Sequence, residues 1–548
     1  MKLSIALLAT TLAVAEASSD SAASGLAATL RRRLSYAAIA GYLPGSQVTD
    51  HCAIDLDQKA IEDQLTQKTP EAFQNARKIY NNGGHSKSYA LITLTDTLKS
   101  NIKKSDPISG TNSEGNSVSG KAYADYDKGT TGAIKVLYAT TDLQASYVDC
   151  QVGALTEPNM SGCFAATGVL KIDEEEHAYT YDPEMNNVND RTIAKFSTGA
   201  GAKMSGYTDY KYFKDYYGEE DYAHQWVEAA FEGDSTSFSN GNADFSRYDF
   251  EGKEQAIKKG AAYLNIFMYV IREWEDAVED CEIGSIDENY ASVHAWDEGV
   301  CFYTGSIEGV DGLTGDGKLL HQLADKRCEN FKTCGESGTD LAGPAMVNHK
   351  LGGLFALGNH QLLSGECATA RGTVKKVITQ MYIPMIQGTL RYAYKVDKLQ
   401  GGETEKAEGA TFAAAVLPRV HAACEFFVFL YIIYHIWSII SDSLLSILNQ
   451  FTFAAPAAAS IIYDNMRVGA PTTDFKAVKK AFESVYADIG VSCTDIGGLW
   501  FEGDDTYYPG MEPCGAGTAS TQSENASYRL GLGAFSSFCL SMVVYFSL

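Results

Sequence analysis

The chain has 548 residues, with 69 Asp and Glu against 44 Lys and Arg, a formal net charge of −25. That balance excludes a nucleic-acid binder, whose phosphate contacts need Lys and Arg, and suits a cation-binding or strongly solvated extracellular protein. The length allows two or three domains, and 32 Tyr beside only 10 His offer oxygen donors fitted to hard cations more than to zinc or copper(I).

Taken in order, residues 1–17 read as a secretory signal peptide: Met1-Lys2, an apolar run, and Ala15-Glu16-Ala17 as the cleavage site. Residues 18–50 read as a linker or pro-segment containing Arg31–Arg33. An N-terminal lobe is expected over 51–250. It begins with helix at 52–84, ended by the turn N-N-G-G, and continues into a small β subdomain. Strand-like runs are Ala90–Leu94, Ala133–Ala139, Val169–Ile172 and His177–Tyr181, while the Ser/Gly/Asn-rich stretch 105–120 reads as a mobile loop. Helix resumes near 208 and sets Asp221, His224 and Glu228 along one flank.

A helical C-terminal lobe is expected over 251–515, with helices at 316–332, 346–363, 367–397, 405–423 and 473–488 and a kink at Pro384. Its most informative part is Ile271–Gly305. At 100° per residue, Leu264, Phe267, Ile271, Trp274 and Val278 share one apolar face, with Glu275 inside the arc and Glu279 at its edge. In the next helix Val293, Trp296, Val300 and Tyr303 form the apolar face. Tyr290, His294, Asp297 and Cys301 lie in a stripe beside it, with Glu298 one step round. A carboxylate at the rim of a core needs a partner: an Arg such as Arg272, a water or a cation. Glu275, Glu279, Tyr290, His294, Asp297, Glu298 and His224 are accordingly the candidate metal ligands. Arg272 and Arg391 are the candidates for holding a synergistic anion. Ordinary salt bridges and solvated helix faces remain the alternative at each position.

Two apolar stretches stand apart. Residues 424–453 interrupt an Ala-rich helix and read as a retained intron or gene-model artefact, a membrane helix, or a buried helix. Residues 516–548 combine a polar spacer with a terminal apolar run, the pattern of a GPI-anchor signal or a membrane helix. Besides Cys424 and Cys539, ten cysteines remain, which in a secreted chain predicts up to five disulfides. Cys281 and Cys301 bracket the Ile271–Gly305 turn, and Cys493 and Cys514 the loop-rich 490–515. Asn159 and Asn525 lie in glycosylation sequons. No H-E-x-x-H, G-x-S-x-G, P-loop or dinucleotide motif is present.

The strings C-F-A-A-T-G (163–168), A-Y-T-Y-D-P (178–183), D-Y-A-H-Q-W-V (221–227), N-G-N-A-D-F-S (240–246), Y-V-I-R-E-W-E-D-A (269–277), H-A-W-D-E-G-V-C-F-Y-T-G-S (294–306), K-L-L-H-Q-L-A-D-K-R-C (318–328) and M-Y-I-P-M-I-Q-G-T-L-R-Y-A-Y (381–394) resemble the phytotransferrins. These are iron-starvation-induced surface proteins of diatoms and related marine algae, related to the low-iron-inducible Fe-assimilation proteins. The likeness covers roughly residues 50–515 apart from 424–453. It implies no enzyme, but high-affinity capture of Fe(III) with carbonate as synergistic anion at the extracellular face of the plasma membrane. A C-terminal membrane anchor would hold the chain there, and a surface reductase or endocytic partner would act downstream. The helical periods point to a mainly α (α+β) fold, a helix-rich two-lobed ectodomain with a small β subdomain. A secreted helical metallohydrolase and a structural coat protein are the rival functions.

Overall fold

Apolar residues recurring at every third or fourth position drive most of the chain into helix, and the fold is mainly α with a small β part. The structure is a computed structural model that describes residues 36–46, 48, 51–83, 88–104, 106–138, 162–182, 187–189, 191–199, 201–286, 291–437 and 454–515. Helices α1 (Ile54–Leu65) and α2 (Pro70–Asn82) open the chain. The helical stretch expected at 52–84 is divided between them because the Thr69 side chain caps the N-terminus of α2 and Pro70 occupies its first turn.

Seven strands follow: β1 (Ser88–Leu94), β2 (Pro107–Thr111), β3 (Ser117–Ala122), β4 (Gly132–Tyr138), β5 (Thr167–Ile172), β6 (Glu175–Thr180) and β7 (Asn187–Asn189). Their order is β4-β3-β2-β5-β6-β1-β7, and β1 also pairs with β4, so six strands close on themselves. Closure removes most of the exposed edge. Inward positions Ile92, Ile108, Val118, Ile134, Val136, Leu170 and Ile172 fill the interior. The stretch 105–120 is thus not a loop but contributes the β2–β3 hairpin. Its glycines hid the pattern: a Cβ at Gly110 would stand 3.0 Å from the Phe164 ring, and one at Gly120 2.6 Å from Val136. Those positions are strand with the side chain deleted to admit a neighbour.

The helical body contains α3 (Thr208–Tyr217), α4 (Tyr222–Glu232), α5 (Phe250–Gly260), α6 (Phe267–Glu282), α7 (Ser292–Thr304), α8 (Leu320–Phe331), α9 (Met346–Leu363), α10 (Cys367–Lys398), α11 (Glu403–Trp437), α12 (Ala454–Met466) and α13 (Phe475–Ile489). Helix α10 continues through Pro384 and α11 through Pro418. The backbone of α11 runs beyond residue 423 to Trp437; residues 438–453, 1–35 and 516–548, with the readings made for them, lie outside the described residues. Among those described, no helix is long and apolar enough to cross a membrane.

One helical core joins Tyr80, Trp226 and Phe245 to Trp274, Met381 and Phe482, so it runs across the boundary expected at 250/251. The strands keep a core of their own. Disulfides Cys52–Cys301, Cys281–Cys367, Cys328–Cys334 and Cys493–Cys514 are present, and Cys163 is also disulfide-bonded. Cys281 and Cys301 go to different partners, so the α6–α7 connection is tied to two other segments rather than to itself. Two tryptophans hold the centre: Trp274 Nε1 donates to the Trp296 carbonyl at 3.2 Å and Trp296 Nε1 to the Phe355 carbonyl at 3.0 Å.

A Cβ at Gly358 would fall 2.0 Å from the Trp296 ring, whereas one at Gly352, on the same helix, would meet nothing within 4 Å. Gly358→Ala should therefore destabilise the fold by about 1–3 kcal/mol through overpacking, despite its better helix propensity. Gly352→Ala should stabilise it by about 0.5–1 kcal/mol. Urea midpoints of the two variants read the contrast directly.

Candidate metal centre

His294 and Glu298 lie four residues apart on α7 and so share a face. His51 starts a one-turn 3-10 helix, His51–Ala53, directly before Cys52, whose disulfide to Cys301 presses it against that face. Arg191 arrives from the segment after the strands, its guanidinium 5.0 Å from the centre of the Phe302 ring. One nitrogen of each imidazole and one oxygen of Glu298 all lie within 4.8 Å of one another, the one such group of His, Cys, Asp and Glu among the described residues.

Glu298 Oε1 is the hub. His51 Nδ1 contacts it, Arg191 Nη2 donates to it at 3.0 Å and His294 Nε2 stands 3.3 Å away. Arg191 Nη1 also reaches His51 Nδ1, at 2.5 Å. Burial works against the Glu298 charge, but His51, Arg191 and His294 outweigh it and hold the carboxyl well below its ordinary range. Beside it Asp297 is fully buried and pushed up to about 6 by burial, against hydrogen bonds from Tyr42 and Ser46 and the charge of His294. Asp297 accepts from the Tyr42 hydroxyl, the Ser46 N–H at 2.8 Å, the Ser46 hydroxyl at 2.7 Å and Asn359 at 3.1 Å.

The Ser46 hydroxyl sets the tautomer of His294. Its single proton goes to Asp297, so towards His294 Nδ1, 3.2 Å away, it can only accept. Nδ1 then carries a ring proton, and Nε2 faces the Glu298 oxygen. The 3.3 Å between Nε2 and Oε1 is bridged by a positive charge: a second ring proton, which makes an ion pair, or a metal ion. An ion bonded at 2.0–2.1 Å to both in tetrahedral geometry sets them roughly 3.4 Å apart, which fits His294 and Glu298, whereas His51 Nδ1 touches that oxygen and must draw back to join them.

The other expected residues take ordinary partners. Glu275 is buried as expected but accepts from Arg371 Nη1 at 2.9 Å, and burial raises its carboxyl. Glu279 is exposed and accepts from the Tyr207 hydroxyl at 3.1 Å. The i, i+4 spacing put both on one face of α6, but that face meets Arg371 and Tyr207 rather than α7. Arg272 pairs with Glu273 at 2.5 Å and Asp276 at 3.2 Å, not with Glu275 or Glu279. His224 stacks on Tyr80, whose hydroxyl lies 3.2 Å from Nδ1. Arg391 lies over the Tyr392 ring at 5.0 Å and lines a cavity with Lys395 and Trp500. Asp297 supports His294 through Ser46 instead of joining the three donors, and Tyr290 lies outside the described residues. Of the candidates, His294 and Glu298 come together, and His51, Arg191, Ser46 and Tyr42 were not foreseen. The adjacency of His51 to a cysteine was the single local sign, and it cannot name Cys301 as the partner.

Against known protein families, curated proteins and solved structures, the chain matches none.

Asp297 has a folded pKa of about 6 against 3.8 for the free side chain. Its contribution to stability is full below pH 3.8 and is lost as pH rises through 6, a fall of about 3 kcal/mol at 1.36 per unit. Comparing wild type with Asp297→Asn in urea at pH 4 and pH 6.5 should show the difference in unfolding free energy moving against the wild type by that order. An unchanged difference would mean that Asp297 titrates normally.

Proposed function

We propose that this chain captures Fe(III) outside the cell, with His51, His294 and Glu298 as protein ligands and carbonate as co-ligand. The observation that carries the reading is the convergence of His51, His294 and Glu298, with His294 Nε2 3.3 Å from Glu298 Oε1. The acidic chain and the resemblance to phytotransferrins support iron as the cation. Two imidazoles and one carboxylate are a small anionic set for a hard trivalent ion, so further oxygen donors must come from outside the protein. Arg191 supplies the reason for an anion. A metal bound to Glu298 competes with the guanidinium for Oε1, and the N–H groups released there can donate to an oxyanion. Carbonate can take that place and fill the metal's remaining positions together, with Arg191 rather than Arg272 or Arg391 holding the anion. Acidification then protonates carbonate and imidazole alike and releases the metal. Export through residues 1–17, retention at the membrane through 516–548 and delivery to a reductase or endocytic partner belong to the same proposal.

A second reading has one observation in its favour. Two imidazoles and a carboxylate are also the ligands of zinc hydrolases. Zinc displacing iron at equal concentration, with hydrolytic turnover lost on chelation, would favour that reading.

Iron titration of the purified chain at pH 8 and pH 5, each with and without bicarbonate, tests capture. Tight binding is expected only at pH 8 with bicarbonate, and equal affinity in all four conditions would refute it. Under the permissive condition, Glu298→Gln and His294→Ala should each weaken binding by about 10- to 100-fold, while Glu275→Ala should leave it unchanged. Loss of affinity in Glu275→Ala alone would place the metal elsewhere.

A further inference from the structure

On a chain with a net charge of −25, one cavity gathers five cations against two carboxylates. It has a volume of about 220 Å³ and lies between α1, α5, α8, α10 and α11. Lys258, Lys259, Lys318, Lys326 and Arg327 face it. Glu62 and Glu408 are the carboxylates on its wall, and no residue is shared with the His51–His294–Glu298 cluster.

The ion pairs leave two charges over. Lys259 pairs with Glu408 at 2.6 Å, Lys318 with Glu62 at 3.6 Å, and Lys258 with Glu254 at 2.9 Å. Lys326 and Arg327 pair with no carboxylate among the described residues. Arg327 is only 7% exposed, and its Nε and Nη1 are sealed from solvent without a hydrogen-bond acceptor. A guanidinium cannot shed its proton to escape this, as a lysine can. The rings of Tyr392 and Phe412, with centres 6.0 Å from Arg327 Cζ, stand at the outer limit of cation–π attraction and do not replace an anion. The pair Lys259–Glu408 is itself hydrogen-bonded into the wall, so Glu408 is committed. A buried, permanently charged and unpaired cation is costly unless something supplies the opposite charge.

We propose that this cavity binds a small, multiply charged oxyanion of the phosphate class, held by Arg327 and Lys326 with Lys318 and Lys259 completing the field. Its volume is below that of ordinary organic-ligand pockets, roughly 300–1,000 Å³, so it takes an inorganic oxyanion or a small phosphorylated metabolite and not a nucleotide. The planar fork of an arginine beside ammonium groups is the donor set that recognises several oxygens on one centre. The site stands on these residues alone and does not depend on the reading of the metal centre.

Calorimetric titration of the full chain, metal-free and in chloride buffer, with inorganic phosphate, sulfate and bicarbonate in separate arms tests the proposal. One phosphate site per chain is expected, with sulfate weaker and bicarbonate weakest. Lys326→Gln, an exposed position that should not disturb folding, is expected to weaken phosphate by about tenfold, and Arg327→Gln by more. Should Arg327→Gln fail to fold, Lys318→Gln replaces it, with a loss of the same order as Lys326→Gln. His294→Ala should leave phosphate affinity untouched. No phosphate heat, binding that survives in the lysine variants, or a preference for bicarbonate would each overturn the proposal.

Discussion

The bond between Cys52 and Cys301 joins positions 249 residues apart and settles what the segment before α1 can touch. With the backbone bonds from Ala40 and Gly41 to Gly309 and Val310, it holds that segment against the candidate site on α7. His51 is the neighbour of one bonded cysteine, while Asp297 and Glu298 lie one helical turn before the other. Tyr42 and Ser46, further up the same segment, reach Asp297, and the Cys301 sulfur lies 3.1 Å from the Val48 carbonyl. Closing a loop of that length removes unfolded-chain entropy equivalent to roughly 5 kcal/mol, near the top of the range for a disulfide. Hydrogen bonds to Asp297 alone, at about 1 kcal/mol each, would have to be several and simultaneous to replace it.

Neighbouring carboxylates respond to this arrangement in opposite directions. Glu298, Asp297 and Glu273 are all buried, and burial alone raises each. Only Glu298 meets two imidazoles and a guanidinium, and only Glu298 is held below its ordinary range. Glu273 is pushed up to about 7 by burial and by the Glu298 charge itself, against Arg272 and Arg191. One carboxylate is thus kept charged at the expense of Glu273. The same separation makes Glu298 the anionic donor and Asp297 the support of the Ser46–His294 contact.

Most of the helical architecture was legible because apolar periodicity needs no knowledge of partners. Trp274, Trp296, Val300 and Tyr303 are buried as their spacing required. The β2–β3 hairpin was not legible, since Gly110 and Gly120 give way to Phe164 and Val136 and so erase the alternation by which a strand is recognised. The candidate site divides on the same line. His294 and Glu298 could be paired from four-residue spacing within α7. Glu275 and Glu279 have that spacing too, but a helix face does not announce what it will meet, and Arg371 arrives from 96 residues away. His51 and Arg191 come from segments with no periodic signal, and only the tertiary fold brings them in.

Because the cysteine link precedes the cluster in every sense, the donors are conditional on oxidation. In a reducing cytosol, where glutathione keeps thiols free, His51 is not tethered to α7, and the arrangement around Glu298 loses its covalent anchor. An oxidising solution thus holds His51, Glu298 and His294 together, and a reducing one frees the segment before α1 to move away from α7.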